Sequence, residues 1–297
     1  MHNIFYFTDI HGQWHLYRAI VDYCKNNDPE CTIIFGGDAC DRGPDGYKIM
    51  KDLLSDPQIV YLKGNHEDIF VRAAWFIMRD YKDFFTTERI KQYLNKCLFQ
   101  DFYSYEVKLS MENGGKYLLT DWMLDGMSTD FVDNINKLPL TFSYENIDFC
   151  HAGGLFTVFQ RAAENEYNQE FVDKNDIEML LWDRNYLACG WEKNRICVHG
   201  HTPASYLPAA AYGRDKSLKS IHPCIWEELM GAKDKRPGYK IDMDTGATFS
   251  GRAYLLDVLT MNVIGFYDPA VTNSNKLHDI KIFEQYNITE QIKNKKA

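Results

Sequence analysis

Residues 32–44 read TIIFGGDACDRGP, and this stretch decides the fold. Its first four residues are apolar or β-branched, which is typical of a short buried strand. Two glycines then lead to Asp38, Asp41 and Arg42, so that polar side chains crowd onto the loop where the strand ends. In α/β proteins, sites form at the carboxyl ends of such strands. The stretch therefore predicts a buried strand that leads directly into a site.

The flanking sequence repeats this arrangement of strand, polar loop and helix. Strands are predicted over 3–8 and 58–62, and they run into the loops TDIHG and KGNHED. Apolar residues at helical spacing predict helices over 12–25, 45–54 and 68–78. The result is a βαβαβ pattern with polar residues on the loops that follow the strands.

The remainder of the chain is expected to complete one domain over residues 1–297. Later strands are predicted over 147–150, 196–198, 240–243, 253–258 and 263–267, and the first three lead into HAGG, HGHTP and DTGA. The other segments are predicted to be a mostly helical, cap-like insertion over about 69–146, an irregular loop over 205–239 with at most one short helix, and a surface helix in the polar C-terminal tail over about 280–297.

Composition limits the classes of protein that this chain can be. The net charge of −9 argues against a general surface for nucleic acid or anionic membranes. The N-terminal residues lack a basic segment followed by an apolar one, so we expect a cytoplasmic protein. The eight cysteines form no CxxC pair, and we expect free thiols. Cys189 and Arg195 match the spacing of cysteine phosphatases, but the bulky loop GWEKN between them makes coincidence the better interpretation.

The polar motifs together offer the ligands of a two-metal hydrolytic site. Such a site needs carboxylate and imidazole ligands, a carboxylate that bridges two ions, and cations that hold the phosphate. Asp9 and His11 are two residues apart and point from one face as their strand ends. The further candidates, each at the end of a predicted strand, are Asp38, Asn65, His66, His151 and His201.

Two assignments stay open at this point. His199 lies two residues before His201 and can face the same side, although the pattern GHT favours His201 as the ligand. Asp244 and Thr245 are expected to shape a loop beside the site rather than to bind a metal.

The motifs DIHG, GGDACDRG, GNHE, HAGG and GHTP resemble the PPP group of calcineurin-like metallophosphoesterases. ENGGKYLLT at 112–120, LLWDR at 180–184 and IDMDTGATFSGRAYLLD at 241–257 resemble its bacterial and phage branch. The resemblance covers residues 4 to about 268. It implies an α/β (α+β) fold, a four-layer sandwich of two mixed β-sheets flanked by helices.

The resemblance also implies a role for each matching residue. Asp9 and His11 bind the first metal ion, and Asp38 bridges both ions. The ligands of the second ion are Asn65, His151 and His201. His66 donates a proton to the leaving group, and Asp41 holds His66 in place. Arg42 and Arg184 bind the phosphate. Asn65 and His66 would also contact the phosphate.

The resemblance implies a metal-dependent phosphoprotein phosphatase in which a metal-bound hydroxide attacks phosphorus directly. Expected substrates are phosphoserine and phosphothreonine in proteins, with phosphotyrosine in addition. Expected cofactors are two divalent ions, manganese first and iron or zinc otherwise. The alternatives are a hydrolase of dinucleoside polyphosphates such as diadenosine tetraphosphate, an RNA 5′-end phosphatase and, remotely, an inactive binding protein of the same fold. Nucleic acid and membrane are not expected as partners.

Overall fold

The computed structural model describes residues 2–81, 88, 104–164, 173–182, 184, 191–192, 194–206, 224–227 and 239–289. Its strands are β1 (Ile4–Phe7), β2 (Thr32–Phe35), β3 (Ile59–Tyr61), β4 (Thr141–Tyr144), β5 (Ile147–Cys150), β6 (Ile196–His199), β7 (Cys224–Glu227), β8 (Tyr239–Asp242), β9 (Arg252–Asp257), β10 (Asn262–Tyr267) and β11 (Lys281–Asn287).

The strands form two mixed sheets, each with parallel strands that end at the polar motifs. The first sheet has the order β11-β10-β9-β1-β2-β3, and the second has the order β4-β5-β6-β8-β7. In the first sheet β1, β2 and β3 are parallel, whereas β9 runs antiparallel to β1. In the second sheet β5, β6 and β8 are parallel. Because the carboxyl ends of parallel strands meet at one sheet edge, each sheet gathers three polar loops there.

Alternation along the strands places the sheets face to face between layers of helices. Tyr6 and Ile34 of the first sheet pack with Phe149 and Val198 of the second in one buried cluster. The residues next to them in sequence face the opposite side of the sheet, because successive side chains of a strand alternate between its two faces. Phe7, for example, packs with helices on the outer side of the first sheet. The predicted four-layer sandwich is confirmed.

The helices are α1 (Trp14–Asn27), α2 (Gly46–Ser55), α3 (Asn65–Tyr81), α4 (Tyr105–Glu112), α5 (Lys116–Leu124), α6 (Thr129–Asn136), α7 (Phe156–Glu164), α8 (Lys174–Leu181), α9 (Ala247–Ser250) and α10 (Pro269–Thr272). Helix α3 begins three residues earlier than the predicted 68–78, so Asn65 and His66 lie in its first turn. Glu67 and Asp68 in that turn suit the positive end of the helix dipole.

The insertion over about 69–146 is helical where it is described, apart from its end. Helices α4, α5 and α6 follow one another, and α3 packs against α4 and α6. Residues 141–144 belong to the second sheet as strand β4, not to the helical insertion. Residues 82–87 and 89–103 lie outside the described part of the chain.

Two further sequence predictions are wrong. The polar tail does not begin with a surface helix, because residues 281–287 form the edge strand β11 on β10. Residues 224–227, predicted to be part of an irregular loop, form β7 on β8. Both are edge strands, whose long-range pairing leaves little apolar pattern in the sequence.

No helix in the described part of the chain is long and apolar enough to cross a membrane.

Candidate active site

Asp38 lies at the end of β2, between two groups of histidines. Its Oδ1 is 3.3 Å from Nε2 of His151, which belongs to the second sheet. Its Oδ2 is 3.5 Å from Nε2 of His11 and 3.7 Å from Nε2 of His66. Burial acts to raise the pKa of Asp38, but the imidazoles of His151 and His66 outweigh burial and hold this pKa well below its usual range. One carboxylate thus faces two possible cation sites.

On the His151 side, acceptor atoms point at one another. The amide oxygen of Asn65 is 2.9 Å from Nε2 of His151 and 2.9 Å from Nδ1 of His201. The other ring nitrogens have partners elsewhere, since Nδ1 of His151 donates to the carbonyl of Gly36 and Nε2 of His201 donates to that of Trp182. When both rings are neutral, the facing nitrogens are therefore the ones with lone pairs, and lone pairs converge in this way around a cation.

The raised pKa of His151 indicates that a positive charge is favoured at this buried position. Burial lowers this pKa, but the charge of Asp38 and the hydrogen bond with it raise it to about 10. Burial and the neighbouring His151 hold the pKa of His201 well below its usual range. Either a proton on His151 or a metal ion among these atoms would supply the positive charge that the carboxylate of Asp38 stabilises.

On the other side of Asp38, His11 has its tautomer fixed in the same way. Its Nδ1 donates to the carbonyl of Cys40 at 2.8 Å, so Nε2 carries the lone pair. The guanidinium of Arg42 donates to this Nε2 at 2.8 Å and lies 3.2 Å from Nε2 of His66. Arg42 as a whole is exposed, so this residue lies at the open side of the site.

His66 and Asp41 form a buried pair beside this group. Nδ1 of His66 donates to Oδ2 of Asp41 at 2.7 Å, which leaves Nε2 directed toward the site. Burial acts to lower the pKa of His66, but Asp38 and the hydrogen bond with Asp41 raise it. The arrangement suits an imidazole that delivers a proton from Nε2.

Asp9 joins the two sheets across the site. Its carboxylate accepts hydrogen bonds from the Thr8 hydroxyl at 2.6 Å and from the backbone N–H of His201 at 3.2 Å. Burial and the nearby Asp244 raise the pKa of Asp9 well above its usual range. Asp244 is itself buried, and its Oδ1 accepts from the N–H of Gly246, which gives it the predicted role of shaping a loop.

The loops after β1 and β2 reach this geometry through left-handed backbone. Residues with positive φ and a side chain are uncommon and costly, and they cluster at functional sites. Here they include Asp9 (56°), His11 (44°), Asp38 (59°), Asp41 (65°) and Arg42 (61°), and in the second sheet His201 (71°).

Glu67 is a site residue for which no role was predicted from sequence. Its carboxylate is fully buried and accepts from the backbone N–H groups of Asp38, Ala39 and Gly64, each at 2.8 Å. It also accepts from the Tyr61 hydroxyl at 2.8 Å. Glu67 therefore ties the loop after β2 to the start of α3. The sequence signal was its position in GNHE, directly after His66.

The remaining predicted residues lie at the edge of the site. His199 is fully buried, its Nδ1 lies 3.0 Å from the carbonyl of Gly200, and burial lowers its pKa to about 3. Among the residues described, two groups of carboxylate and imidazole atoms lie close enough together to hold an ion. His201 belongs to one of them, and His199 belongs to neither. Arg184 is exposed and close enough to His201 to lower its pKa.

Comparison with known proteins identifies the family. The sequence profile of the calcineurin-like phosphoesterases matches residues 2–219. The chain belongs to the calcineurin-like phosphoesterase family. Members of this family hydrolyse phosphoesters at a dinuclear metal site. The two groups of acceptor atoms on either side of Asp38 fit such a site.

Individual relatives of this calcineurin-like phosphoesterase are distant. A symmetrical bis(5′-nucleosyl)-tetraphosphatase from Buchnera aphidicola (subsp. Schizaphis graminum) is 22% identical over 269 residues, which cover 84% of this chain and 92% of that protein. A cold-active protein tyrosine phosphatase has a TM-score of 0.49 at 12% identity, over 96% of this chain and 79% of that one. A metallophosphoesterase from Sphaerobacter thermophilus has a TM-score of 0.44 at 12% identity, over 99% and 95%.

Proposed function

We propose that this chain is a phosphomonoesterase that removes phosphate from phosphoserine and phosphothreonine in proteins, and from phosphotyrosine in addition. The observation that supports it best is the position of Asp38, whose two oxygens face separate groups of imidazoles while Arg42 lies at the open side. Two divalent ions bound there supply Lewis acidity and an activated water. The ligand set of carboxylate, amide and imidazole suits manganese, iron and zinc alike, and manganese is the ion that we propose.

Each residue has a proposed task in the reaction. The first ion would be held by Asp9, His11 and Asp38, and the second by Asp38, Asn65, His151 and His201. Arg42 and Arg184 bind the phosphoryl oxygens, as guanidinium groups do well. His66 donates its Nε2 proton to the leaving oxygen while Asp41 accepts from Nδ1 and keeps the ring oriented.

The arginines that the structure describes on α3 favour a substrate with one phosphate over a polyphosphate. The next arginines along α3 are already engaged with carboxylates. Arg72 lies 2.7 Å from Asp68 and 3.5 Å from Glu178, and Arg79 lies 2.8 Å from Asp80. A chain of four phosphates would need cations in addition to Arg42 and Arg184, and Arg72 and Arg79, paired as they are among the described residues, serve it less well than free arginines would.

A second candidate is the hydrolysis of dinucleoside polyphosphates. It is favoured by the Buchnera relative, whose name gives this activity and whose match extends over 92% of its length. The same pair of imidazole groups and the same proton donor would serve an anhydride bond equally well.

A substrate panel tests the proposal against the second candidate. Purified protein with manganese is assayed on phosphopeptides carrying each of the three hydroxyl residues, on diadenosine tetraphosphate and on 5′-triphosphate RNA. We expect the highest kcat/KM on phosphoserine or phosphothreonine peptides. A higher value on diadenosine tetraphosphate would replace the proposal by the second candidate. Absence of hydrolysis of p-nitrophenyl phosphate and of every substrate in the panel by the wild type would contradict both.

A further inference from the structure

Two buried oxygens beside the His66–Asp41 pair have no hydrogen-bond partner among the described residues. They are Oδ1 of Asp41 and the hydroxyl of Ser110, which lies in the last turns of α4. Both side chains are about 1% exposed. A buried carboxylate oxygen and a buried hydroxyl are each costly when unpaired, whereas a bond between them would satisfy both.

The turn between α4 and α5 brings these atoms together. A Cβ added to Gly115 would lie 2.1 Å from the Ser110 hydroxyl and 3.1 Å from Oδ1 of Asp41, so the two oxygens are at most about 5 Å apart. The preceding Gly114 has φ +92°, and a Cβ there would lie 2.6 Å from the backbone nitrogen of Arg42. Only glycines at these positions allow the insertion to approach the loop after β2 so closely.

We propose that Ser110 is a positioning residue for the reaction. Rotation about its Cα–Cβ bond directs the hydroxyl to donate to Oδ1 of Asp41. Oδ2 of Asp41 then remains in place to accept from Nδ1 of His66, and Nε2 of His66 remains directed at the leaving oxygen. The inference rests on the proposed function, because it assigns Ser110 to the step in which His66 donates a proton.

Leaving-group dependence tests this assignment with Ser110→Ala. Phenyl phosphate has a poor leaving group that needs a proton, whereas p-nitrophenyl phosphate needs one much less. We expect kcat of Ser110→Ala to fall roughly 10- to 100-fold on phenyl phosphate, with KM unchanged, and only a few-fold on p-nitrophenyl phosphate. A purely structural defect would reduce both rates equally.

Two further variants complete the experiment. Ser110→Thr keeps the hydroxyl and should restore most of the rate on phenyl phosphate. Thr120→Val is the matched control, because the Thr120 hydroxyl on α5 is also buried without a partner but belongs to a different part of the insertion. It should behave as wild type on both substrates.

The outcomes separate this inference from the proposed function. If wild type hydrolyses both substrates and Ser110→Ala matches it, or loses both rates equally, Ser110 is not a positioning residue and the proposed function stands. If wild type hydrolyses neither substrate with manganese, the proposed function fails and this inference fails with it.

Discussion

The loops of the two sheets build the candidate site in different ways. In the first sheet, the loops after β1 and β2 place several side chains through left-handed backbone, and hydrogen bonds between the loops hold them there. The N–H of Asp9 donates to the carbonyl of Gly37 at 3.0 Å, and that of His11 donates to the carbonyl of Asp38 at 2.9 Å. The second sheet contributes mainly single imidazoles at strand ends. The part of the site on the loops of the first sheet, called the first half below, is thus preorganised. The part on the second sheet, called the second half, completes it.

Asp38 belongs to the first half but faces both, so its loss should have the largest effect. Asp38→Asn removes the charge between the two groups of imidazoles, and we expect kcat/KM to fall about 1,000-fold or more. Metal content, measured by elemental analysis, should fall below two ions per chain. The control Asp22→Asn changes a half-exposed carboxylate that pairs with Arg18, and should alter neither quantity. Retention of both ions in Asp38→Asn would contradict the bridging role.

His66 tests whether the first half contains a residue that acts without binding metal. His66→Asn should lower kcat on a phosphopeptide about 100- to 1,000-fold by removing the proton donor. Two ions per chain should remain bound. His66 also lies near His11 and Asp38 in a group able to hold an ion. Loss of an ion in His66→Asn would therefore reassign it as a ligand.

The second half is tested by its two neighbouring histidines. His201→Ala should reduce metal content from two ions per chain toward one, because Nδ1 of His201 faces Asn65. His199→Ala should keep two ions, since the ring of His199 lies against the backbone of Gly200. If His199→Ala loses an ion and His201→Ala does not, the assignment of the two residues must be reversed.

Glu67 tests whether the first half depends on its internal hydrogen bonds. Glu67→Gln replaces an acceptor of four hydrogen bonds by a group that both donates and accepts. We expect the free energy of unfolding to fall by about 2–3 kcal/mol in urea denaturation. Glu30→Gln, at an exposed carboxylate that pairs with His2, is the matched control and should be near neutral. Equal stability of the two variants would show that the loops hold without Glu67.

The last prediction concerns the pH dependence of the metal-stripped protein. The pKa of His151 is raised from about 6.5 to about 10, so its protonation stabilises the folded state. This contribution is fully present below pH 6.5 and is lost as pH rises to about 10. The Tm measured in chelator should therefore decline across this window more steeply for wild type than for His151→Gln. Parallel profiles would contradict the raised pKa.

The same division of the molecule explains what could be predicted from sequence. The first half was readable because its ligands and glycines lie within short motifs, and the strand and helix pattern between them is regular. The four-layer sandwich followed from the resemblance of those motifs. Helix α3 was predicted to begin three residues too late, because its first turn is made of the polar motif residues themselves.

The parts that were missed depend on contacts between distant segments. Strand β11 is mostly exposed and polar, so only its pairing with β10 makes it a strand. Glu67 received no role because the N–H groups of Asp38 and Ala39, from which it accepts, lie 29 and 28 residues earlier in the sequence. The approach of Ser110 to Asp41 depends on how the insertion packs, which no local pattern encodes.

The position of β1 has a consequence for the order of synthesis. It pairs with β2 on one side and with β9 on the other, although β9 begins only at Arg252. At 5–20 residues per second, one edge of β1 stays unpaired for roughly 10–50 s after it is made. The N–H of His201 that binds Asp9 is 192 residues away and also arrives late. The growing chain therefore carries the first half of the site before the second half has been made. A fragment that ends before residue 201 cannot complete the site.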